Sequence, residues 1–216
     1  MVLRKGAPRD YQVPKSYHPV ALLNTLGKIL ELVVAAHLSW ALENHGLLPK
    51  THMGGMKLIS VDHAVQMVIN HIWKAWGIGD KVNMLLMDIS DVYNNITHQR
   101  LVHNLKVLRL GHFAPWIGSF LANQATQLSM TGVISPRFPT LTGIPQGSPI
   151  SPIVFLIYST PLIQALTKAT NPQITPFRWV DDTCMVVSSE SYTANIRAIE
   201  EVLLKAHSWS LKHASK

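Results

Sequence analysis

Acidic residues at the ends of apolar strands constrain this chain more than any other feature. Residues 82–89 form a short apolar run that reaches Asp88, and residues 177–187 place apolar residues on both sides of Asp181 and Asp182. The first pattern predicts a buried strand, and the second predicts a strand, an acidic turn and another strand. Because an ionised carboxylate is costly to bury unless it is paired or binds a metal, we expect the three acids to meet at one edge of a sheet.

A carboxylate cluster of this kind is compatible with a magnesium site. Like charges a few Å apart raise each other's pKa, and two Mg²⁺ ions about 3.5–4 Å apart would relieve that repulsion and promote in-line phosphoryl transfer. Carboxylate oxygens are hard ligands that suit Mg²⁺. These residues alone leave two other interpretations open: Asp181 and Asp182 as a solvated hairpin tip, and Asp88 as a helix cap.

The segment 142–152, T-G-I-P-Q-G-S-P-I-S-P, predicts a stiff loop immediately before a helix. Its glycines permit a backbone approach that a Cβ would block, and its prolines limit the motion of the segment. Gln146 can form hydrogen bonds with a base edge or a sugar. Such a loop could hold a template nucleotide against an incoming one, and an ordinary turn rich in proline and glycine is the alternative.

Composition favours a nucleic-acid partner over a membrane. The 216 residues are 47% hydrophobic and carry 19 Lys and Arg against 12 Asp and Glu, a formal charge of +7. A basic balance favours an anionic polymer. One cysteine excludes an intrachain disulfide, and 11 histidines without cysteine pairs argue against zinc. We find neither a signal peptide nor an apolar run of about 18 residues, so we expect an intracellular protein, nuclear or cytoplasmic.

Hydrophobic periodicity predicts an α/β (α+β) chain in which a sheet is backed by helices. Helices are predicted at about 25–44, 60–76, 98–109, 114–122 and 152–168, with a final helix near the C-terminus. Two short strands are predicted near 125–131 and 137–143, and residues 1–18 read as an arm or an edge strand. The predicted buried face of the first helix comprises Leu26, Ile29, Leu30, Val33, His37 and Ala41, and that of the last comprises Ile196, Ile199, Val202, Leu203, Ala206 and Trp209. The order of elements approximates a split β-α-β arrangement.

Three segments, in this order, resemble motifs A, B and C of reverse transcriptases. They are D-I-S-D-V-Y at 88–93, G-I-P-Q-G-S-P-I-S-P at 143–152 and W-V-D-D at 179–182. Residues 17–29 resemble an N-terminal block of non-LTR (LINE-like) retrotransposons, and residues 53–55 and 119–123 fit the same family. Because the resemblance covers nearly the whole chain in the order of the family, the chain is identified as a member.

The resemblance implies a right-hand polymerase in which fingers and palm alternate along the chain. The fingers would comprise residues 1–80 and 116–145, and the palm residues 81–115 and 146–216. The palm sheet would be the split β-α-β (ferredoxin-like) arrangement, and the sequence is expected to contain no thumb.

By resemblance, the activity would be RNA-directed DNA polymerisation with two Mg²⁺ ions, for which Mn²⁺ could substitute. The partners would be an RNA template, a DNA primer and dNTPs. Asp88, Asp181 and Asp182 would be the catalytic metal ligands. The substrate-binding residues would be Tyr93, which would stack under the sugar and exclude a 2′-hydroxyl, Gln146 and Gly147 beside the template and nucleotide, and Lys57 near the triphosphate.

Several positions depart from the pattern of the family. His18, Met56, Ile59 and Gln124 stand where basic residues are usual, and Asp91 and Asn94 replace a usual Gly and Asp. Lys57 is the remaining charge in the block expected to hold the triphosphate, and Lys lacks the bidentate fork of Arg. Together with the missing thumb, these departures support an alternative: a truncated, catalytically inactive retrotransposon remnant that acts at most as a weak nucleic-acid-binding module.

Overall fold

The computed structural model describes residues 1–6, 10–54, 59–88, 93–130, 132–167, 172 and 174–213. Its α-helices are α1 (Thr25–Asn44), α2 (Val61–Gly77), α3 (His98–Val107), α4 (Ala114–Leu121), α5 (Ser151–Thr167) and α6 (Tyr192–His213). Its strands are β1 (Val2–Arg4), β2 (Tyr17–Pro19), β3 (Lys81–Met87), β4 (Ala125–Thr126), β5 (Ser129–Met130), β6 (Val133–Ile134), β7 (Phe138–Pro139), β8 (Ile174–Trp179) and β9 (Asp182–Ser189). All six predicted helices are therefore confirmed.

A three-stranded sheet in the order β3-β9-β8 carries the acidic residues. Strand β9 is antiparallel to both neighbours, so β3 and β8 run in the same direction with β9 inserted between them. This is the predicted split β-α-β arrangement. Strands β1 and β2 form a separate antiparallel pair at the N-terminal end of the chain, as expected for an edge strand.

Helices cover both faces of this sheet. On one face, α5 and α6 pack over a cluster that includes Leu85, Met185 and Val187. On the other face, α2 packs over a cluster that includes Phe177 and Val186. Since successive strand residues point to opposite faces, the apolar run 184–187 in β9 follows from burial on both sides.

The buried face of α1 differs from the predicted one. Leu38 and Leu42 are buried in the largest core cluster, with Ala35 beside them, whereas Leu26 is 77% exposed and Ile29 54% exposed. Apolar residues occur all around α1, so periodicity could not select the side that meets the core. Contacts with α5 make that selection.

The buried face of α6 also differs in part from the prediction. Val202 is buried as expected, but Ile196 and Leu203 are exposed, and Asn195 is fully buried in their place. The Asn195 side-chain amide donates hydrogen bonds to the Lys81 carbonyl (2.8 Å) and to Asn83 Oδ1 (3.1 Å). A buried amide with these partners ties α6 to β3 at the end of the sheet away from the acids.

Helix α5 contains a proline, and a side chain of α3 compensates for it. Pro161 has no N–H to donate to the Ile157 carbonyl four residues earlier. The buried Asn104 amide lies 3.0 Å from the Tyr158 carbonyl and 3.4 Å from that of Ile157. A polar contact between α3 and α5 therefore compensates for the hydrogen bond that Pro161 cannot form.

The segment between α4 and α5 was predicted as two short strands, and this prediction is wrong in detail. The structure has four strands of two residues each, with β4 paired to β7 and β5 paired to β6. Gly132 has a positive φ of 84° and Pro136 has no N–H to donate, so neither can continue a regular ladder.

Among the described residues, helix α1 is long and apolar enough to cross a membrane by length and composition, with mean hydropathy 1.3 over 18 residues. It contains no uninterrupted apolar run of that length, because Lys28, Glu31 and His37 lie within it. Core helices of globular proteins pass the same test, and α1 places Leu38 and Leu42 in the core.

Candidate active site

The acidic residues lie together at one edge of the three-stranded sheet. Met87 is paired with Thr183, so Asp88 leaves β3 next to the start of β9, where Asp182 lies. Trp179 is paired with Asp182, and Val180 and Asp181 form the two-residue loop between β8 and β9. Asp88 and Asp182 are exposed and Asp181 is half-buried.

The three carboxylates also interact electrostatically. The pKa of Asp182 is raised by partial burial, and further by the charges of Asp181 and Asp88. Within the described residues, no group of three or more His, Cys, Asp or Glu side chains is placed to hold one ion. Mg²⁺ is usually held by one or two carboxylates together with waters and substrate phosphates, so this donor set fits a magnesium site that substrate completes.

The loop that carries Asp181 is strained. Val180 has a φ of +54°, in a two-residue hairpin whose first central position favours glycine. A β-branched residue in this conformation costs on the order of 1–3 kcal/mol, and such strain persists only where surrounding contacts hold it.

The segment 51–54 supplies some of these contacts. The Arg178 N–H donates to the Thr51 carbonyl (2.8 Å), and the Met53 N–H donates to the Arg178 carbonyl (2.9 Å). This parallel pairing brings Gly54 against the hairpin, where a Cβ would lie 2.4 Å from the Val180 nitrogen. No side chain larger than hydrogen therefore fits at Gly54 without moving the loop.

Two buried basic residues behind the loop were not identified from the sequence. Arg178 is 1% exposed and His52 is 2% exposed. The pKa of His52 is lowered to about 3 by burial, with a smaller effect of the Arg178 charge, so His52 is neutral. A single arginine inside the apolar strand that precedes Asp181 was the signal that could have drawn attention to this pair.

Tyr93 lies on the same side as Asp181 and Arg178. Its ring is half-buried with its centroid 5.7 Å from that of Phe155. The pKa of Tyr93 is raised to about 12, first by burial and then by the Asp181 charge, whereas the Arg178 charge acts in the opposite direction. Tyr93 is therefore a protonated phenol beside the carboxylate edge.

The loop at 142–149 is hydrogen-bonded to the segment that follows β3. The Ile144 N–H donates to the Tyr93 carbonyl (2.7 Å), and the Gly143 N–H donates to the Ile96 carbonyl (2.7 Å). His98 Nε2 lies 2.8 Å from the Gly143 carbonyl oxygen. Gly143 has a φ of +87°, and a Cβ there would lie 2.7 Å from the Tyr93 carbonyl oxygen.

We expect Gly143→Ala to lower the free energy of unfolding by about 3 kcal/mol. Two costs add up: alanine is strained at a positive φ, and its Cβ would be too close to the Tyr93 carbonyl oxygen. Gly79→Ala is the matched control, since Gly79 has a φ of +88° and no atom within 4 Å of the position that an added Cβ would take. The control should cost about 1 kcal/mol in denaturant unfolding. Equal losses in the two variants would contradict the close approach at Gly143.

Gln146 and Gly147 face the N-terminal segment. The Ala21 N–H donates to the Gln146 carbonyl (2.8 Å), and a Cβ at Gly147 (φ +98°) would lie 3.2 Å from the Ala21 carbonyl oxygen. Within the described part of the chain, the buried Oε1 of Gln146 has no hydrogen-bond partner. The Ser148 hydroxyl donates to the buried carboxylate of Glu31, which joins the loop to α1.

Lys57 falls outside the described residues, as do Met56 and Asp91 among the departures from the family pattern. The side-chain amide of Gln124 donates a hydrogen bond to the Phe120 carbonyl (2.6 Å), so it satisfies an acceptor in the last turn of α4. Ile59 packs against the cluster beneath α2. The structure thus gives Gln124 and Ile59 local packing roles.

Comparisons with known proteins agree with this geometry. A family model described as "Reverse transcriptase (RNA-dependent DNA polymerase)" matches residues 3–216. The chain is 23% identical over 211 residues to "Probable RNA-directed DNA polymerase from transposon BS" of Drosophila melanogaster, covering 97% of this chain and 23% of that protein. It is 24% identical over 197 residues to "RNA-directed DNA polymerase from mobile element jockey" of Drosophila melanogaster, covering 90% of this chain and 22% of that protein.

A solved structure extends the likeness to the fold. The telomerase from Candida albicans, in complex with a fragment of telomeric RNA, superposes with a TM-score of 0.55 at 13% identity, covering 80% of this chain and 32% of that chain. This shows that the fold is that of a right-hand polymerase. The chain spans less than a quarter of the length of the two Drosophila relatives.

Proposed function

The chain belongs to the reverse transcriptase (RNA-dependent DNA polymerase) family, and we propose that it carries the polymerising site of an RNA-directed DNA polymerase. The observation that carries this proposal is the sheet edge at which the pairing of β3, β9 and β8 brings Asp88, Asp181 and Asp182 together. Hydrogen bonds from Gly143 and Ile144 to the segment after β3 support a role of the loop at 142–149 in binding substrate.

Asp88 and Asp181, completed by Asp182, would hold two Mg²⁺ ions, with Mn²⁺ as a substitute. Bound ions of this kind lower the pKa of an attacking hydroxyl and neutralise a leaving pyrophosphate. The exposed carboxylates of Asp88 and Asp182 leave room for substrate oxygens, and the half-buried Asp181 is held more firmly by its hairpin.

The substrates would be dNTPs, a DNA primer and an RNA template. Tyr93 would lie under the sugar of the incoming nucleotide and exclude a 2′-hydroxyl, since its ring is held against Phe155 beside Asp181. Gln146 and Gly147 would border the template and nucleotide, and Lys57 would contact the triphosphate. Residues 1–80 and 116–145 would form the fingers, and residues 81–115 and 146–216 the palm.

Primer extension tests this function directly. We expect the protein to add dNTPs to a DNA primer annealed to an RNA template, in a reaction that requires Mg²⁺ and stops when the ion is chelated. Products are resolved on a denaturing gel, with a primer lacking template as the control. A folded sample, verified by circular dichroism, that extends no primer with either Mg²⁺ or Mn²⁺ would contradict the proposal.

A second candidate function is nucleic-acid binding without catalysis by a degenerate domain. It is favoured by Gln124 and Ile59, which stand where basic residues are usual in the family and make local contacts instead. Primer extension, measured together with duplex binding, distinguishes the two functions. Duplex binding that weakens steeply with salt, in a protein that extends no primer, would support the second function.

A further inference from the structure

Arg178 is a buried charge whose position is unexplained by packing alone. It lies in the last part of β8, three residues before Asp181, and is the largest fully buried side chain among the described residues. Burying a guanidinium is costly unless hydrogen bonds and an opposite charge compensate. Its partners therefore indicate what the charge is for.

The guanidinium contacts the peptide group that precedes Asp181. Arg178 Nε–H donates to the Val180 carbonyl at 2.7 Å. That carbonyl belongs to the peptide bond joining Val180 to Asp181, so this contact fixes the peptide plane from which the Asp181 backbone continues. The strained φ of Val180 makes such a contact necessary, because the turn would otherwise relax.

An aromatic ring and two oxygen-bearing side chains surround the rest of the guanidinium. Arg178 Cζ lies 4.8 Å from the centroid of the Phe155 ring, a cation–π distance. Burial lowers the pKa of Arg178 to about 10, against the opposing effects of Asp181 and Tyr93. Arg178 thus stays charged at neutral pH and lies near enough to Asp181 for the two charges to interact.

Two nitrogens of this guanidinium, which together carry four N–H donors, are not satisfied by the described residues. Nη1 and Nη2 have no hydrogen-bond partner within that part of the chain. A buried donor without a partner costs on the order of 1–3 kcal/mol, so stability does not account for this arginine.

We propose that Arg178 is a positioning residue for Asp181, holding the Val180 carbonyl and balancing the Asp181 charge until a divalent cation binds. The inference rests on the proposed function, since it assumes that Asp181 is a metal ligand. Arg178 is buried, so we do not expect it to contact substrate. It would act on Asp181, by holding the hairpin and by its positive charge.

The affinity of the protein for a divalent cation distinguishes a positioning role of Arg178 from a purely electrostatic effect of its charge. By Coulomb's law alone, removing a positive charge beside Asp181 should tighten cation binding. A positioning role predicts the opposite, because a displaced ligand binds less well. Arg178→Met removes the charge and keeps an apolar stem, whereas Arg178→Lys keeps the charge and loses the Nε donor in its planar fork.

The experiment is a Mn²⁺ titration of the protein without nucleic acid, followed by electron paramagnetic resonance of unbound Mn²⁺. We expect both Arg178 variants to bind Mn²⁺ about 10-fold more weakly than wild type. In primer extension, kcat should fall by a similar factor while KM for dNTP changes by less than about twofold. Arg197→Met, on the exposed face of α6, is the control and should bind as wild type.

Unchanged or tighter Mn²⁺ binding in both variants, with wild-type thermal stability, would overturn the role of Arg178. If neither Arg178 variant folds, Phe155→Leu tests the role of Arg178, because it removes the ring under the guanidinium and keeps every charge. We expect Phe155→Leu to weaken Mn²⁺ binding. Unchanged binding in this variant would overturn the role of Arg178. Wild-type protein that binds no Mn²⁺ would overturn the proposed metal site and this inference together. If Asp181→Asn loses Mn²⁺ binding while both Arg178 variants keep it, the proposed metal site stands and only the role of Arg178 is overturned.

Discussion

Asp181→Asn should lower the rate of primer extension about 1,000-fold, which corresponds to about 4 kcal/mol of transition-state stabilisation. The substitution keeps the shape of the side chain and removes the charge that a divalent cation requires. Asp181 is the half-buried member of the three acids and lies in the two-residue hairpin between β8 and β9.

Single-turnover primer extension on an RNA template measures this loss. Glu200→Gln, on the exposed face of α6, removes one negative charge elsewhere and should leave the rate unchanged. Circular dichroism should verify that Asp181→Asn is folded, because the substitution relieves repulsion among the three acids but also removes a charge that opposes that of Arg178. A variant that extends primers within tenfold of the wild-type rate would show that Asp181 is not a metal ligand.

Gly54→Ala should lower the same rate about 100-fold although Gly54 carries no functional side chain, because displacing a reacting group by 1 Å is sufficient for a loss of that size. The new Cβ would lie 2.4 Å from the Val180 nitrogen, and an ordinary contact begins at 3.4 Å. Segment 51–54 is hydrogen-bonded to Arg178 and cannot simply retreat. The hairpin that carries Asp181 must therefore move.

Gly77→Ala is the matched control, since Gly77 has no atom within 4 Å of the added Cβ position. Extension rates and urea unfolding should be measured on both variants. We expect Gly77→Ala to extend primers at the wild-type rate and to be as stable as wild type, or more stable by up to about 1 kcal/mol, because alanine suits a helical position. A Gly54→Ala protein with the wild-type rate would show that the hairpin adapts at no cost to the carboxylate edge.

Much of the fold could be predicted because its signals are local. Each helix is marked by periodicity over several turns, and Asn24 and Ser60 cap α1 and α2 with side-chain hydrogen bonds. The strand ends are marked by acids that follow apolar runs. These features depend on residues within a few positions of one another, which is the range over which a sequence pattern can be read directly.

The faces of the helices could not be predicted as well. Helix α1 carries apolar residues on all sides; periodicity favoured the face with Leu26, whereas contacts with α5 bury Leu38. In α6, Asn195 is buried because β3 offers it two hydrogen-bond partners. A polar residue in a core depends on partners that are distant in sequence.

The sequence by itself determined which residues are chemically capable of acting here: three acids on two strand ends, the loop at 142–152 and the order that relates them to reverse transcriptases. Only the tertiary structure decided how they are supported, through Gly54 against Val180, Gly143 against Tyr93 and Arg178 beneath Asp181. The physical reason is that these contacts join segments far apart in the chain at distances of a few Å. Their cost or benefit exists only once the backbones have met.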